Sequence, residues 1–172
     1  MVVVMSWSIP SKVTSCPPGT QAATLNIVWA YRNLPLVTQH KAYISSMWWG
    51  NIYMDHCTME GLSPSRNIQV SPVNALVSII RHHGVYTILK WVDDFFFFCV
   101  PTHSTLNDKN ESIQHCSKYI ALVFSIMAPL GMPWNPVTIQ GQDFVPSIVY
   151  VGFLWDLTNI QSCCLPRNAW NT

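Results

Sequence analysis

Two rhythms of apolar spacing run along this chain. Stretches rich in β-branched and aromatic residues, which fit a pleated strand, occupy residues 24–29, 41–49, 52–54, 85–89, 95–100 and 149–155. Gly50-Asn51 between two of these stretches is a hairpin signal. A period of three to four residues appears twice. Val73, Leu76, Ile79 and Ile80 share one face of a helix that Ser71 and Pro72 open as N-cap and first position, and that Gly84 ends. Ile113, Cys116, Ile120, Val123, Phe124 and Met127 share the face of a second helix, stopped near Pro129 and Gly131. Residues 30–33 read as a turn toward Leu34-Pro35-Leu36. Residues 61–65, 101–111 and 132–144 read as loops or turn-rich connections, and pattern is lost after Leu157. Residues 1–23 read as an irregular lead-in with a short strand at 2–7. Strands with two helices of this length predict an α+β fold: one antiparallel sheet with both helices on one face.

Composition narrows this picture. At 172 residues the chain is one domain or a piece of a larger one. It is 49% hydrophobic and 10% charged, against the usual quarter charged. A sizeable core is expected, together with apolar surface that something else covers. The net charge of +1 supplies no electrostatic argument for nucleic-acid binding, which leans on a basic face, and does not exclude it, since a few well-placed Lys or Arg suffice. The six cysteines form no C-x-x-C pair, so zinc is not expected, and reduced thiols are. The start lacks the charged region of a secretory signal, and the apolar run at 119–130 is too short to cross a bilayer. An intracellular protein with no membrane partner is expected, in cytoplasm or nucleus.

Candidate chemistry concentrates at one place. Asp93 and Asp94 are two of only eight acidic residues, and they lie between the apolar runs 85–89 and 95–100. This reads as strand, tight Asp-Asp turn, strand. Adjacent like charges repel by about 4 kcal/mol at 4 Å in an effective dielectric near 20. Two readings stay open: a solvated turn, in which Asp is common, or a pair that gathers a divalent cation. His82-His83 at a helix end suit the helix dipole. Asp55, Asp143 and Asp156 are the other acids that could join Asp93 in a different phosphotransfer site.

Several segments, in order, carry a resemblance. Ala30-Tyr31-Arg32-Asn33-Leu34-Pro35-Leu36, Gly50-x-Ile52-Tyr53, Gly61-Leu62-Ser63 and Trp91-Val92-Asp93-Asp94 resemble the palm of a reverse transcriptase. Tyr150-Val151-Gly152-Phe153 is similar to the primer-grip strand of those enzymes. K-W-V-D-D-F, P-L-G-x-P-W, G-Q-D-F and Y-V-G-F-L-W-x-L are similar to retrotransposon polymerases of basidiomycete fungi. The likeness covers residues 21–166, with 1–20 as lead-in and 167–172 as a tail cut before a thumb.

The resemblance implies RNA-directed DNA polymerisation, in which a primer 3′-hydroxyl attacks the α-phosphate of a deoxynucleotide and two Mg²⁺ ions (or Mn²⁺) stabilise the attacking and leaving oxygens. It implies Asp93 and Asp94 as catalytic residues and metal ligands. It implies Tyr31, Arg32 and Gly61 at the nucleotide and Tyr150, Val151, Gly152 and Phe153 at the primer. Tyr31 also reads as a plain core tyrosine. The implied partners are an RNA or DNA template-primer and a deoxynucleotide. The pattern departs in two places. Asn26 stands where the family keeps its first Asp, and Glu60 stands where relatives carry Phe or Gln. An amide is a poor ligand for a hard cation, and the resemblance implies fingers and a thumb that this sequence lacks, so a chain inactive by itself is expected. The alternative is a non-catalytic relic fold that associates with protein, including itself, through uncovered apolar surface.

Overall fold

The computed structural model describes residues 8–61, 63–106, 108–109, 112–116 and 120–164. The strand expected at 2–7 and the tail at 167–172 lie outside them. The first described element is a helix, α1 (Ser8–Thr14), where an irregular lead-in was expected. Its Ile9 and Val13, four residues apart, are buried, and that apolar pair holds the turn in helical form. β1 (Gln21–Asn26) follows, three residues earlier than the pattern predicts and ending at Asn26. A 3₁₀ turn at Ala30–Asn33 and a one-turn helix, α2 (Thr38–Lys41), come next.

β2 (Ser45–Trp48) and β3 (Asn51–Met54) form a separate hairpin. Its turn is Trp49-Gly50, one residue before the predicted pair. Both turn residues take positive φ, 51° and 75°, as a primed hairpin turn requires. Every residue of this ribbon is exposed.

α3 runs from Ser63 to His82, eight residues further upstream than the Ser71-Pro72 signal predicts, so Pro72 lies inside it. Ser65, Gln69, Val73, Leu76, Val77 and Ile80 are all buried. Their helical spacing passes straight through the proline, and packing of that face overrides the lost backbone hydrogen bond. Gly84, with φ 91°, follows the helix end.

β4 (Ile88–Trp91) and β5 (Asp94–Cys99) come next. β6 (Pro101–Leu106) and β7 (Ser112–Cys116) pair as an antiparallel ribbon, where a loop and the start of the second helix were expected. The Thr-His-Ser-Thr run of β6 prefers extended backbone, and its partner strand draws 112–116 out of the helix. The second helix, α4, is therefore only Ile120–Met127. β8 (Gly141–Val145), β9 (Ser147–Tyr150), β10 (Phe153–Asp156) and β11 (Gln161–Cys164) complete the chain. The single strand expected over 149–155 is a hairpin, because Val151 and Gly152 take φ 47° and 80° and reverse the chain. Strand order also continues past Leu157 as β11, where pattern seemed lost.

The fold is α+β, but the strands of the described residues divide among four antiparallel sheets rather than one. The central sheet has the order β4-β5-β1-β8, and β9, β10 and β11 form a separate meander. Phe95, Phe97 and Cys99 pack with Val73, Leu76, Val77 and Ile80 of α3 and Val123 and Met127 of α4. Phe96 and Phe98 pack on the opposite face, with Ile9 and Val13 of α1 and Ile148, Tyr150 and Trp155 of the meander. Burial on both faces explains why β5 reads as an unbroken aromatic run rather than an alternation. The two long helices share one face as predicted; α1 and the meander cover the other. Among the described residues, no helix is long and apolar enough to cross a membrane.

Phe97 is fully buried and stacked on Phe95. Phe97→Ala is expected to lower the unfolding free energy by about 3–5 kcal/mol in urea titration. Leu106→Ser, at an exposed position of β6, is expected to change it by less than about 0.5 kcal/mol.

Candidate active site

The acid pair sits where β4 turns into β5, but the turn is Val92-Asp93 rather than Asp93-Asp94. Trp91 pairs with Asp94 across it. Val92 takes φ 54°, a left-handed conformation that costs a β-branched residue roughly 1–2 kcal/mol. Because the turn is two residues long, Asp94 becomes the first residue of β5, directly opposite Asn26 at the end of β1. The N–H of Ile27 donates to the carbonyl of Asp93 (3.3 Å) and ties the turn to the chain leaving β1.

Side chains converge on this register. Asn26 is 6% exposed. Its Nδ2 donates to Oδ1 of Asp94 at 2.7 Å and to Oδ2 of Asp93 at 3.3 Å. Its Oδ1 accepts from Nδ2 of Asn135 at 2.8 Å, and the same nitrogen donates to Oε1 of Gln140 at 2.8 Å. The backbone N–H of Asn135 also donates to the carbonyl of Asn26 (3.0 Å). Tyr150 is buried and its hydroxyl donates to the carbonyl of Asp94 at 3.0 Å.

Burial raises both carboxyls above the ordinary aspartate range. The Asn26 amide partly offsets this at each, while Glu60 raises Asp93 further and Asp93 raises Asp94. Tyr31 is raised by burial first and by the charges of Asp93 and Glu60 next. Burial, with the charge of Asp94, holds the Tyr150 hydroxyl protonated. A cleft of ≈360 Å³ opens beside the pair, lined by Trp29, Tyr31, Arg32, Glu60, Asp93 and Gln140 among others.

The residues singled out from the sequence fall unequally around this cleft. Asn26, Asp93, Asp94 and Tyr150 form one hydrogen-bonded group. Tyr31 and Arg32 line the cleft, and Arg32 is engaged by Asp55. Gly61 lies in the turn before α3 and is exposed. Val151 and Gly152 form the β9–β10 turn, and Phe153 packs against Trp155 at 5.8 Å between ring centroids. Asp156 accepts bonds from Thr158 and Asn159, and Asp143 accepts the N–H of Phe144. The further acid whose charge reaches Asp93 is Glu60, which the sequence marks only as a departure. Asn135 and Gln140 are also new. Their one signal in the sequence is that a buried Asn26 facing two acids would need a donor for its carbonyl.

The donor set does not fit a divalent cation. Among the described residues no group of three or more His, Cys, Asp and Glu is placed to hold a metal ion. The third group beside the two carboxylates presents amide hydrogens to them, and its oxygen is turned to Asn135. Hard cations take oxygen ligands.

Raised aspartate pKa values carry a stability consequence. In the window above the ordinary aspartate range the folded chain binds more protons than the unfolded chain, so stability falls as pH rises through it. Asp94→Asn keeps an acceptor for Asn26 and removes the charge. The variant is expected to melt higher than the unaltered chain at neutral pH, with the gap closing below the ordinary aspartate pKa. Thermal denaturation across pH checks this, and a lower melting temperature at neutral pH would contradict it.

No family model matches this sequence, and no curated protein matches it. Solved structures do share its fold. A foamy viral protease-reverse transcriptase in complex with an RNA/DNA hybrid superposes with TM-score 0.64 at 15% identity, over 92% of this chain and 19% of that one. The same type of protein in complex with double-stranded DNA gives 0.63 at 14%, over 92% and 25%. An apo telomerase from Candida tropicalis gives 0.54 at 11%, over 94% and 40%. The chain thus spans a fifth to two fifths of the proteins it resembles, and its fold is reverse-transcriptase-like.

Proposed function

We propose that this chain is the palm of a retrotransposon reverse transcriptase whose polymerising centre is closed by Asn26, so that it engages template-primer without extending it. The observation that carries the reading is the register of β1 on β5. It sets Asn26 against Asp94 and Asp93 at the strand end where the family pattern calls for three carboxylates. The ordered motifs from Ala30 to Asp94 and the reverse-transcriptase-like fold support the palm. K-W-V-D-D-F and Y-V-G-F-L-W-x-L support the likeness to basidiomycete elements. The solved neighbours in complex with an RNA/DNA hybrid and with double-stranded DNA support duplex nucleic acid as partner.

In this reading the chain keeps two carboxylates of the ancestral centre, Asp93 and Asp94, and has lost the third at Asn26. Tyr31 walls the cleft on the nucleotide side, and Tyr150 braces the main chain of Asp94 from below. Mg²⁺, where a third carboxylate is present, would supply charge neutralisation at the phosphate being attacked. Loss of one carboxylate near the ions, at about 4 kcal/mol, corresponds to roughly a thousandfold in rate.

A second reading has its own observation. The β2–β3 ribbon exposes Met47, Trp48, Trp49, Ile52, Tyr53 and Met54 together, which is the surface a self-associating relic module would use.

Primer extension on an RNA template separates the outcomes. The unaltered chain is expected to bind the hybrid duplex and to extend nothing with Mg²⁺ or Mn²⁺, while Asn26→Asp in a full-length context gains about a thousandfold over the same polymerase with Asn26. Efficient extension by the unaltered chain would refute the closed centre. Absence of duplex binding together with concentration-dependent association favours the second reading.

A further inference from the structure

We infer that Asn26 acts as an internal substitute for a cation, and that Asn135 and Gln140 form the latch that decides which end of the Asn26 amide faces the acid pair. The inference deepens the closed-centre reading and rests on it, since it takes Asp93 and Asp94 to be what remains of a cation-binding pair.

The argument is one of donors and acceptors. An ionised carboxylate only accepts. The group lying between Asp93 and Asp94 must therefore bring positive charge or hydrogens. Asn26 brings both hydrogens of one nitrogen, one toward Oδ1 of Asp94 and one toward Oδ2 of Asp93. Half a turn about Cβ–Cγ would exchange its nitrogen and oxygen with almost no change of shape. It would also set a carbonyl oxygen against two carboxylates, which is unfavourable without a cation and suitable with one.

The opposite end of the amide settles the choice. Oδ1 of Asn26 receives Nδ2 of Asn135, and that nitrogen also reaches Oε1 of Gln140. One nitrogen thus serves two oxygens: Nδ2 of Asn135 donates to Asn26 on one side and to Gln140 on the other. The arrangement can be read in the other direction only if the members turn together. Asn135 cannot drift away, because its backbone N–H is bonded to the carbonyl of Asn26. The amide that blocks the cation is consequently held by a residue 109 positions away in sequence.

Two substitutions of equal charge separate the latch from simple electrostatics. Asn135→Asp turns the donor into an acceptor. Asn26 must then give its nitrogen to residue 135 and present its oxygen to Asp93 and Asp94. Gln140→Glu keeps an acceptor for Asn135 and adds the same negative charge nearby, so it tightens the original direction. Asn26→Asp supplies a third carboxylate directly.

The test titrates Mn²⁺ into the full chain and its variants, following paramagnetic broadening of the side-chain amide resonances of Asn26 and its neighbours, with melting curves to show each variant folded. In the unaltered chain those resonances are expected to stay sharp at millimolar Mn²⁺. Asn26→Asp and Asn135→Asp are expected to bind Mn²⁺ at least tenfold tighter than the unaltered chain, and Gln140→Glu is expected to gain less than threefold. Equal gains from Asn135→Asp and Gln140→Glu would show a charge effect and overturn the latch. So would a gain in Asn26→Asp with none in a folded Asn135→Asp, or broadening of the Asn26 amide in the unaltered chain. No gain in any variant, Asn26→Asp included, would remove the cation-site reading itself and the inference with it.

Discussion

Two buried carboxylates meet one amide, and the rest of the molecule is arranged so that they cannot avoid it. β1 runs through the middle of the sheet with a partner on each side. Its last residue is locked in register with the first residue of β5. The aromatic run that follows Asp94 is packed from both faces, so β5 cannot slide without turning every phenylalanine to the wrong side. The meeting of Asn26 with Asp93 and Asp94 is a consequence of that packing, and its polarity a consequence of hydrogen-bond chemistry.

The electrostatic outcome is a compromise. Burial works against both charges, and Asn26 returns part of what solvent would have given. A neutral amide gives less than a divalent ion would, so the pair remains a local cost to the folded state. Such costs persist where surrounding structure over-determines a conformation. The left-handed Val92 at the same turn is a second one.

The sequence showed the fold class and the acid pair, because each depends on local chemistry, and the resemblance alone pointed to Asn26. Phe95 to Phe98 are β-prone and apolar whatever they pack against. Bounds were less legible where partners decide them. Residues 112–116 pair with 101–106 and so never join α4, although their apolar spacing reads as helix. Pro72 suggests a helix start until the buried face on both sides of it is known. Val151-Gly152 looks like strand interior until its two positive φ values show the chain reversing. At the site, the local neighbours Asp93 and Asp94 were visible and the remote ones were not. Asn135 reaches Asn26 where Trp134 bridges Ile27 ahead of β8, and Gln140 joins through Asn135, while Glu60 acts on Asp93 across the cleft rather than along the chain.

Tyr150 adds a mechanical link. Its ring is part of the core beneath Phe96, its carbonyl receives the indole N–H of Trp155, and its hydroxyl holds the main chain of Asp94. The meander and the acid-bearing bend are therefore joined by the Tyr150 phenol as well as by core packing. A push on the β9–β10 turn would arrive at the bend as a tug on its carbonyl, so a displacement at one hairpin would be felt at the other.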